Sequence, residues 1–273
     1  MEHQIAVYWD FENIHAAVYE NSGEQVEPYR EIFWKAQPEA VSIAAIMEYI
    51  SSEGTVCLNR AYANWEPMRK YARRLQEWSV DLIQLFPAGK SAKNGADIRL
   101  SIDIIEDMAR LPHIDTIVLI AGDSDFIPVV RKIREKGRRV IGIAEQKSTN
   151  PNLVKCCHEF KFYKTLAARL KADADPAPTA EDGSKAPGLT LKQAKALAKS
   201  AMQNAMKQSG EAAVSKGTLK NLMLRLEPSF DESLYQFSSF TDFIKACSDW
   251  LVEEPGQLLR MKNAEAGSQS KPS

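Results

Sequence analysis

The sequence predicts a doubly wound α/β domain, in which helices cover both faces of a parallel sheet, followed by a small winged-helix domain. Three observations support this prediction. Short apolar runs alternate with helical patterns of about 10 to 15 residues through the first part of the chain. A stretch rich in Pro, Ala, Asp and Ser then interrupts every apolar pattern. The last part combines three helical patterns with a Pro-Gly turn between apolar flanks, which is typical of a winged helix-turn-helix.

The predicted elements of the first domain follow from their patterns in order. Helical spacing or a capping residue predicts helices that start at Pro38, run from Glu66 to Trp78, and cover 96–109 and 125–136. Gly137 ends the last of these helices. The predicted strands are the apolar runs 5–9, 55–62, 80–86, 116–121 and 139–144, with an edge strand at 160–163.

The predicted domain boundaries follow from composition. Residues 1–170 form the α/β domain, 171–188 a flexible linker, 189–262 the winged-helix domain and 263–273 a disordered tail. In the winged-helix domain, predicted helices cover 191–205, 218–226 and 241–251, residues 214–217 form a connector, and a two-stranded wing surrounds Pro255-Gly256. The aromatic residues of 231–243 are expected to pack in its core, with stacking on bases as the alternative.

The bulk composition is that of a soluble globular protein. The chain has 273 residues, of which 44% are hydrophobic and 26% charged, enough for a sizeable core and two domains. Its net charge of −1 means that nucleic acid binding would depend on local charge. No apolar run approaches the roughly 18 residues of a spanning helix, and no secretory signal precedes the first strand. We therefore expect no membrane partner.

The cysteines indicate a reducing compartment. Cys57, Cys156, Cys157 and Cys247 show neither metal-ligand spacing nor a disulfide framework. The adjacent pair cannot form an ordinary bridge. Reduced thiols predict a cytoplasmic protein.

Two carboxylates follow the central apolar run 116–121. Gly122 leads into Asp123, Ser124 and Asp125, after which a helical pattern begins. Ligands of open parallel sheets bind at the carboxyl ends of strands, so acidic groups at this position could take part in binding or catalysis. The alternative is that one aspartate only caps the helix, a role for which a single aspartate suffices.

Two further segments bring an aspartate to an element boundary. Asp10 ends the first strand, with Asn13 shortly after it, and Asp97 opens the predicted helix 96–109. If the strands before Asp10 and Asp123 are neighbours where the strand order reverses, these carboxylates share one crevice. Clustered like charges repel unless a cation lies among them. Oxygen ligands without His or Cys suit Mg²⁺ or Mn²⁺ rather than Zn²⁺.

Other polar residues near these aspartates are candidate substrate contacts. Asn13 could bind a metal water or a phosphate oxygen, and Ser124 could hydrogen-bond a phosphate or a carboxylate, since no His is nearby to activate it as a nucleophile. Lys90 and Lys93 precede Asp97 and could hold a phosphodiester chain. Asp103 is a secondary candidate, because it points about 240° around the helix from Asp97, with a solvated or capping role as the alternative.

Three segments of the first domain carry a resemblance to a known family. They are Val7-Tyr8-Trp9-Asp10-Phe11-Glu12-Asn13, Lys93-Asn94-Gly95-Ala96-Asp97 and Gly122-Asp123-Ser124-Asp125-Phe126. In these segments the domain resembles the NYN domain, a relative of the PIN-like ribonucleases with a Rossmann-like sheet, over about residues 3–165. The resemblance implies a metal-dependent nuclease site in which Asp10, Asp97, Asp123 and Asp125 ligate Mg²⁺ or Mn²⁺ and Asn13 supports the substrate.

Three segments of the second domain carry a resemblance to a known family. They are Gly217-Thr218-Leu219, Pro228-Ser229-Phe230-Asp231 and Phe237-Ser238-Ser239-Phe240-Thr241-Asp242-Phe243. In these segments the domain resembles the LOTUS (OST-HTH) domain. This resemblance implies a winged-helix module that binds RNA, single-stranded or structured, or a protein partner.

These features predict a metal-dependent ribonuclease with a C-terminal RNA-targeting module. Two alternatives stay open. One is a non-catalytic RNA-binding or adaptor protein with a degenerate nuclease fold. The other is a phosphatase or nucleotide-processing enzyme, because an Asp-x-Asp pattern after a strand serves other phosphoryl chemistries.

Overall fold

The computed structural model describes residues 2–23, 26–86, 95–174, 189–209, 213–254 and 256–262. The chain divides into two compact units, residues 1–187 and 188–273. The four cysteines are free thiols. No helix in the part of the chain that the structure describes has the length and apolar character needed to cross a membrane.

The first unit contains a six-stranded parallel sheet, which confirms the predicted fold class. The strand order is β3-β2-β1-β4-β5-β6, so the order reverses between β1 and β4. These two strands are paired, with Trp9 opposite Ile120. The strands are β1 (His3–Asp10), β2 (Gly54–Ala63), β3 (Asp81–Gln84), β4 (Thr116–Ile120), β5 (Arg139–Ala144) and β6 (Glu159–Phe162).

Helices cover both faces of this sheet. Because successive side chains of a strand point to opposite faces, Trp9 joins one apolar layer and Tyr8 the other. The first layer includes residues of α1, α3, α4 and α8, and the second residues of α5, α6 and α7. The helices are α1 (Phe11–Glu20), α2 (Tyr29–Ile32), α3 (Ile43–Glu53), α4 (Arg69–Glu77), α5 (Gly95–Arg110), α6 (Ile127–Glu135), α7 (Pro151–Cys156) and α8 (Tyr163–Ala174).

The start of α3 was predicted wrongly, because this helix begins at Ile43 and not at Pro38. The backbone N–H groups of Ala40 and Val41 donate to the hydroxyl of Tyr71, at 2.6 and 2.9 Å. A distant side chain thus satisfies the donors of this segment outside a helix. Propensity along the chain does not reveal such a tertiary contact.

Two other predicted boundaries shift. The helix predicted over 125–136 begins as a 3₁₀ turn at Ser124–Phe126, and α6 follows from Ile127 to Glu135. Helix α8 extends to Ala174, so the first residues assigned to the linker are helical. The rest of the predicted linker, 175–188, and the predicted tail, 263–273, lie outside the described residues.

The second unit is a small winged-helix domain, as predicted. Its three-stranded antiparallel sheet has the order β7-β9-β8. The segment predicted as a connector divides between the strand β7 and the first turn of α10. The third helix is shorter than predicted, because it ends at Lys245 and a turn over 246–250 leads to β8. Phe230 and Phe243 pack in the core, with ring centroids 5.2 Å apart, which confirms the packing interpretation. The elements are α9 (Leu191–Ser209), β7 (Ala213–Ser215), α10 (Lys216–Leu226), α11 (Phe240–Lys245), β8 (Leu251–Glu254) and β9 (Leu258–Met261).

Packing between β5 and β6 leads to a prediction for Gly142. A Cβ atom at this position would overlap the Cδ2 and Cε2 atoms of Phe160 and lie 3.1 Å from the Sγ atom of Cys157. We expect Gly142→Ala to lower the free energy of unfolding by about 1 to 3 kcal/mol, because both neighbours are buried. Urea denaturation followed by tryptophan fluorescence measures this change. Gly95→Ala, which meets no atom within 4 Å, is the control. Equal midpoints for the two variants would contradict the prediction.

Candidate active site

Asp10 is a buried carboxylate at the carboxyl end of β1. It caps α1, and its Oδ1 atom accepts the backbone N–H of Asn13 at 3.3 Å. The residue is 5% exposed. Burial first, and the neighbouring charge of Asp97 second, raise the pKa of Asp10 well above its ordinary value. A group of this kind favours either a proton or a cation beside it.

Asp97 connects the aspartates electrostatically. It lies in the first turn of α5, and its charge raises the pKa of Asp10. Burial first, and then the charges of Asp123 and Asp125, raise the pKa of Asp97 from 3.8 to about 6. The structure therefore brings all four predicted aspartates into one electrostatic neighbourhood.

Asp123 and Ser124 form the turn after β4. The Oδ1 atom of Asp123 accepts the backbone N–H of Asp125 at 3.0 Å and the hydroxyl of Ser124 at 3.3 Å. Asp123 therefore does cap the 3₁₀ turn, and the capping role coexists with its electrostatic contact with Asp97. Ser124 hydrogen-bonds a carboxylate, one of the two roles predicted for it. Asp125 is exposed.

Asn13 and Gly122 join the two central strands at their carboxyl ends. The Oδ1 atom of Asn13 accepts the backbone N–H of Gly122 at 3.3 Å. The carbonyl oxygen of Gly122 accepts the N–H of Asn150 at 3.1 Å. A Cβ atom at position 122 would lie 3.3 Å from Oγ1 of Thr149, so this packing leaves little room for a side chain. These contacts hold the turns that carry Asp10 and Asp123 in a fixed relation.

Asp103, the secondary candidate, forms structural contacts. It is buried, and it accepts the hydroxyl of Tyr62 at 2.8 Å and the Nε–H of Arg99 at 2.9 Å. The solvated or capping role considered for it is therefore wrong. The bond from Tyr62 attaches α5 to β2 and so supports the helix that carries Asp97.

Glu12 is a further carboxylate of the site, which the sequence analysis did not single out. Its Oε1 atom accepts the backbone N–H of Asn64 at 2.6 Å, and burial raises its pKa. Its charge in turn raises the pKa of Asp10 and of Asp97. The only sequence feature that could have identified Glu12 as a site residue is its position between Asp10 and Asn13. Its proximity to the aspartates depends on the contact with the end of β2.

The donor set suits a hard divalent cation. Within the described ranges, no group of three or more His, Cys, Asp or Glu side chains is arranged to hold a metal ion. Mg²⁺ commonly binds proteins through one or two carboxylates, with water and phosphate oxygens as its other ligands. Asp10 and Asp97, two interacting carboxylates whose pKa values are both raised, fit this mode. Lys90 and Lys93 lie outside the described residues.

Comparisons with known proteins agree with this architecture. The family model described as the NYN domain matches residues 4–164, and the model described as the OST-HTH/LOTUS domain matches residues 190–257. The chain is 26% identical over 106 residues to "Uncharacterized protein MJ0482" of Methanocaldococcus jannaschii, a match that covers 39% of this chain and 41% of that relative. The chain thus spans less than half the length of this relative.

A solved structure from Vibrio parahaemolyticus is also similar. Its title is "Crystal structure of a protein of unknown function VPA0982". It is 21% identical, with a TM-score of 0.46, and the match covers 59% of this chain and 93% of that one.

The raised pKa of Asp97 predicts a pH-dependent stability. Because its pKa is about 6 in the folded chain and 3.8 ordinarily, the folded state binds the proton more tightly. Without metal, the contribution of Asp97 to the free energy of unfolding therefore decreases as pH rises from about 4 to about 6. Asp97→Asn removes this decrease.

Thermal unfolding in EDTA between pH 4 and pH 7 measures this effect. We expect the melting temperature of Asp97→Asn to rise relative to wild type as the pH increases. Asp81→Asn, which changes an exposed aspartate at the start of β3, is the matched control and should show no such trend. A constant difference between Asp97→Asn and wild type across this range would contradict the electrostatic assignment.

Proposed function

Because the chain belongs to the NYN domain family, we propose that its first unit is a divalent-metal-dependent ribonuclease and that its second unit directs it to RNA. NYN domains form a PIN-like nuclease family, and LOTUS/OST-HTH domains bind RNA. The observation that carries the proposal is the mutual effect of the aspartates. Asp97 raises the pKa of Asp10, and Asp123 and Asp125 raise the pKa of Asp97.

The four aspartates are the proposed ligands of Mg²⁺ or Mn²⁺. Asp10 and Asp97, which interact electrostatically, are the proposed core of this set, with Asp123 and Asp125 beside them. A divalent ion bound here supplies charge neutralisation of the scissile phosphate and lowers the pKa of water. PIN-like relatives lead us to expect a 5′-phosphate and a 3′-hydroxyl as products.

The remaining residues of the site have supporting roles in this proposal. Asn13 holds the end of β4 through its bond to Gly122, which keeps Asp10 and Asp123 at the same edge. The donors on Oδ1 of Asp123 fix the orientation of its carboxylate. Ser124 takes part in this orientation through its hydroxyl. Fixed carboxylates lower the cost of organising the charged transition state.

A non-catalytic RNA-binding or adaptor protein is the second candidate function. The observation in its favour is that the described part of the chain holds no group of three or more potential ligands arranged for a metal ion. A nuclease site then requires water and substrate phosphate to complete the coordination shell. An adaptor requires none of this.

The two functions differ in the effect of neutralising single aspartates. We expect Asp10→Asn and Asp123→Asn each to reduce Mg²⁺- or Mn²⁺-dependent cleavage of labelled single-stranded RNA by about 100-fold or more, because each removes a negative ligand from the transition-state environment. Gel analysis of the RNA with Mn²⁺ and then with EDTA measures the cleavage. Circular dichroism checks that the variants are folded, and Asp81→Asn is the control.

Each result assigns one function. Fragments that appear only with metal support the nuclease, and a shifted but intact RNA supports the adaptor. Activity confined to small phosphoesters supports a phosphatase. Full cleavage by both Asp10→Asn and Asp123→Asn would contradict the proposed site.

A further inference from the structure

Two exposed lysines flank the acidic residues along the carboxyl edge of the sheet. Lys70 lies in the first turn of α4, which follows β2, and Lys147 lies in the loop that follows β5. In the sheet order, β2 neighbours β1, which ends at Asp10, and β5 neighbours β4, which leads to Asp123. The edge therefore presents a cation, two carboxylates and a second cation in sequence along the sheet.

The loop that carries Lys147 is held firmly against the site. The buried carboxylate of Glu145 accepts the backbone N–H of Lys147 at 2.6 Å and that of Ser148 at 3.2 Å. Farther along, the N–H of Asn150 donates to the carbonyl oxygen of Gly122. Both ends of the loop are thus fixed, one to its own strand and one to the residue before Asp123. The position of Lys147 relative to the carboxylates follows from these bonds.

Lys70 differs from the other cations of α4. The arginines of this helix each have a carboxylate oxygen within 4 Å, in the pairs Arg69–Glu66, Arg73–Glu77 and Arg74–Glu39. Neither Lys70 nor Lys147 pairs with a carboxylate of the residues that the structure describes. The turn that enters α4 is anchored to the site, because Asn64 donates its N–H to Glu12. Lys70 is therefore a cation placed near the site and available to an anion.

The order of these charges along the sheet edge suits a polynucleotide backbone. Strands lie about 4.8 Å apart, so the three steps from β2 to β5 span roughly 14 Å at the sheet edge. A phosphodiester chain carries one negative charge per nucleotide, and the aspartates between the lysines repel it. Because the whole chain has a net charge of −1, cations beside the site must offset this repulsion locally.

We infer that single-stranded RNA crosses the carboxyl edge of the sheet at right angles to the strands, with Lys70 and Lys147 binding phosphates on opposite sides of the scissile linkage. This inference rests on the proposed nuclease function and identifies the part of the substrate that the first unit holds. The two lysines contact the phosphates of the backbone and do not contact the bases. Recognition by these two contacts is therefore independent of sequence.

Salt dependence tests the two contacts directly. Fluorescence anisotropy of the full-length chain in EDTA, with labelled single-stranded RNA, gives the Kd at several salt concentrations. We expect Lys70→Ala and Lys147→Ala each to raise the Kd several-fold and to reduce the slope of log K against log salt by about 0.7, the value for one contact to a single strand. Lys136→Ala is the matched control, since this exposed lysine ends α6 at the opposite edge. It should leave both quantities unchanged.

Neutral linkages test which phosphate each lysine binds. An RNA that carries a single methylphosphonate on one side of the cleavage point lacks one backbone charge. Wild type and Lys136→Ala should bind this RNA more weakly than the unmodified RNA. The variant that lacks the contacting lysine should bind both RNAs with the same affinity. With the methylphosphonate on the other side of the cleavage point, the other lysine variant should be the one whose affinity does not change. Equal losses for all variants at both positions would overturn the inference.

Cleavage separates the failure of this inference from that of the proposed function. With Mn²⁺, we expect the two lysine variants to show a higher KM and little change in kcat. If wild type cleaves RNA and both variants behave like Lys136→Ala, the RNA path is wrong and the nuclease stands. If wild type does not cleave RNA but the variants show the expected binding losses, the path stands and the nuclease is wrong.

Discussion

The parallel pairing of β1 with β4 is the constraint on which the rest of the structure depends. It brings Asp10 and the turn that begins at Asp123 to one edge, where the bond from Gly122 to Asn13 ties the two turns together. Helix α5 then brings Asp97 close enough to Asp10 for its charge to raise the pKa of Asp10. The result is a set of like charges, one of them buried, which the folded chain holds together at an energetic cost.

The surrounding structure offsets this cost through contacts away from the site. The apolar layers on the two faces of the sheet provide the main stabilisation. Buried polar contacts between the sheet and α5 also fix the orientation of this helix. Asp107 accepts the hydroxyl of Tyr8 and pairs with Arg60, and Asp103 accepts the hydroxyl of Tyr62. These contacts fix the helix whose first turn carries Asp97, so the carboxylates cannot relieve their repulsion by moving apart without disturbing the sheet.

The strands themselves, and the aspartates at their ends, could be predicted from the sequence because they depend on local patterns. Apolar runs mark the strands, and an aspartate at the end of a parallel strand lies at the ligand-binding edge wherever the sheet is doubly wound. Contacts between distant segments could not be predicted. The start of α3 depends on the hydroxyl of Tyr71, the position of Glu12 on Asn64, and the end of the loop that carries Lys147 on the carbonyl oxygen of Gly122. Each of these contacts needs the folded sheet to bring its partners together.

The central claim is that the four aspartates form one cation-binding group. The change in melting temperature on adding Mn²⁺ to the metal-free chain, compared between wild type and Asp10→Asn, tests it most directly. Binding to the folded state alone raises the melting temperature with ligand concentration. The account predicts a concentration-dependent rise for wild type that is lost in Asp10→Asn. The same rise in both proteins, or none in wild type, would contradict it.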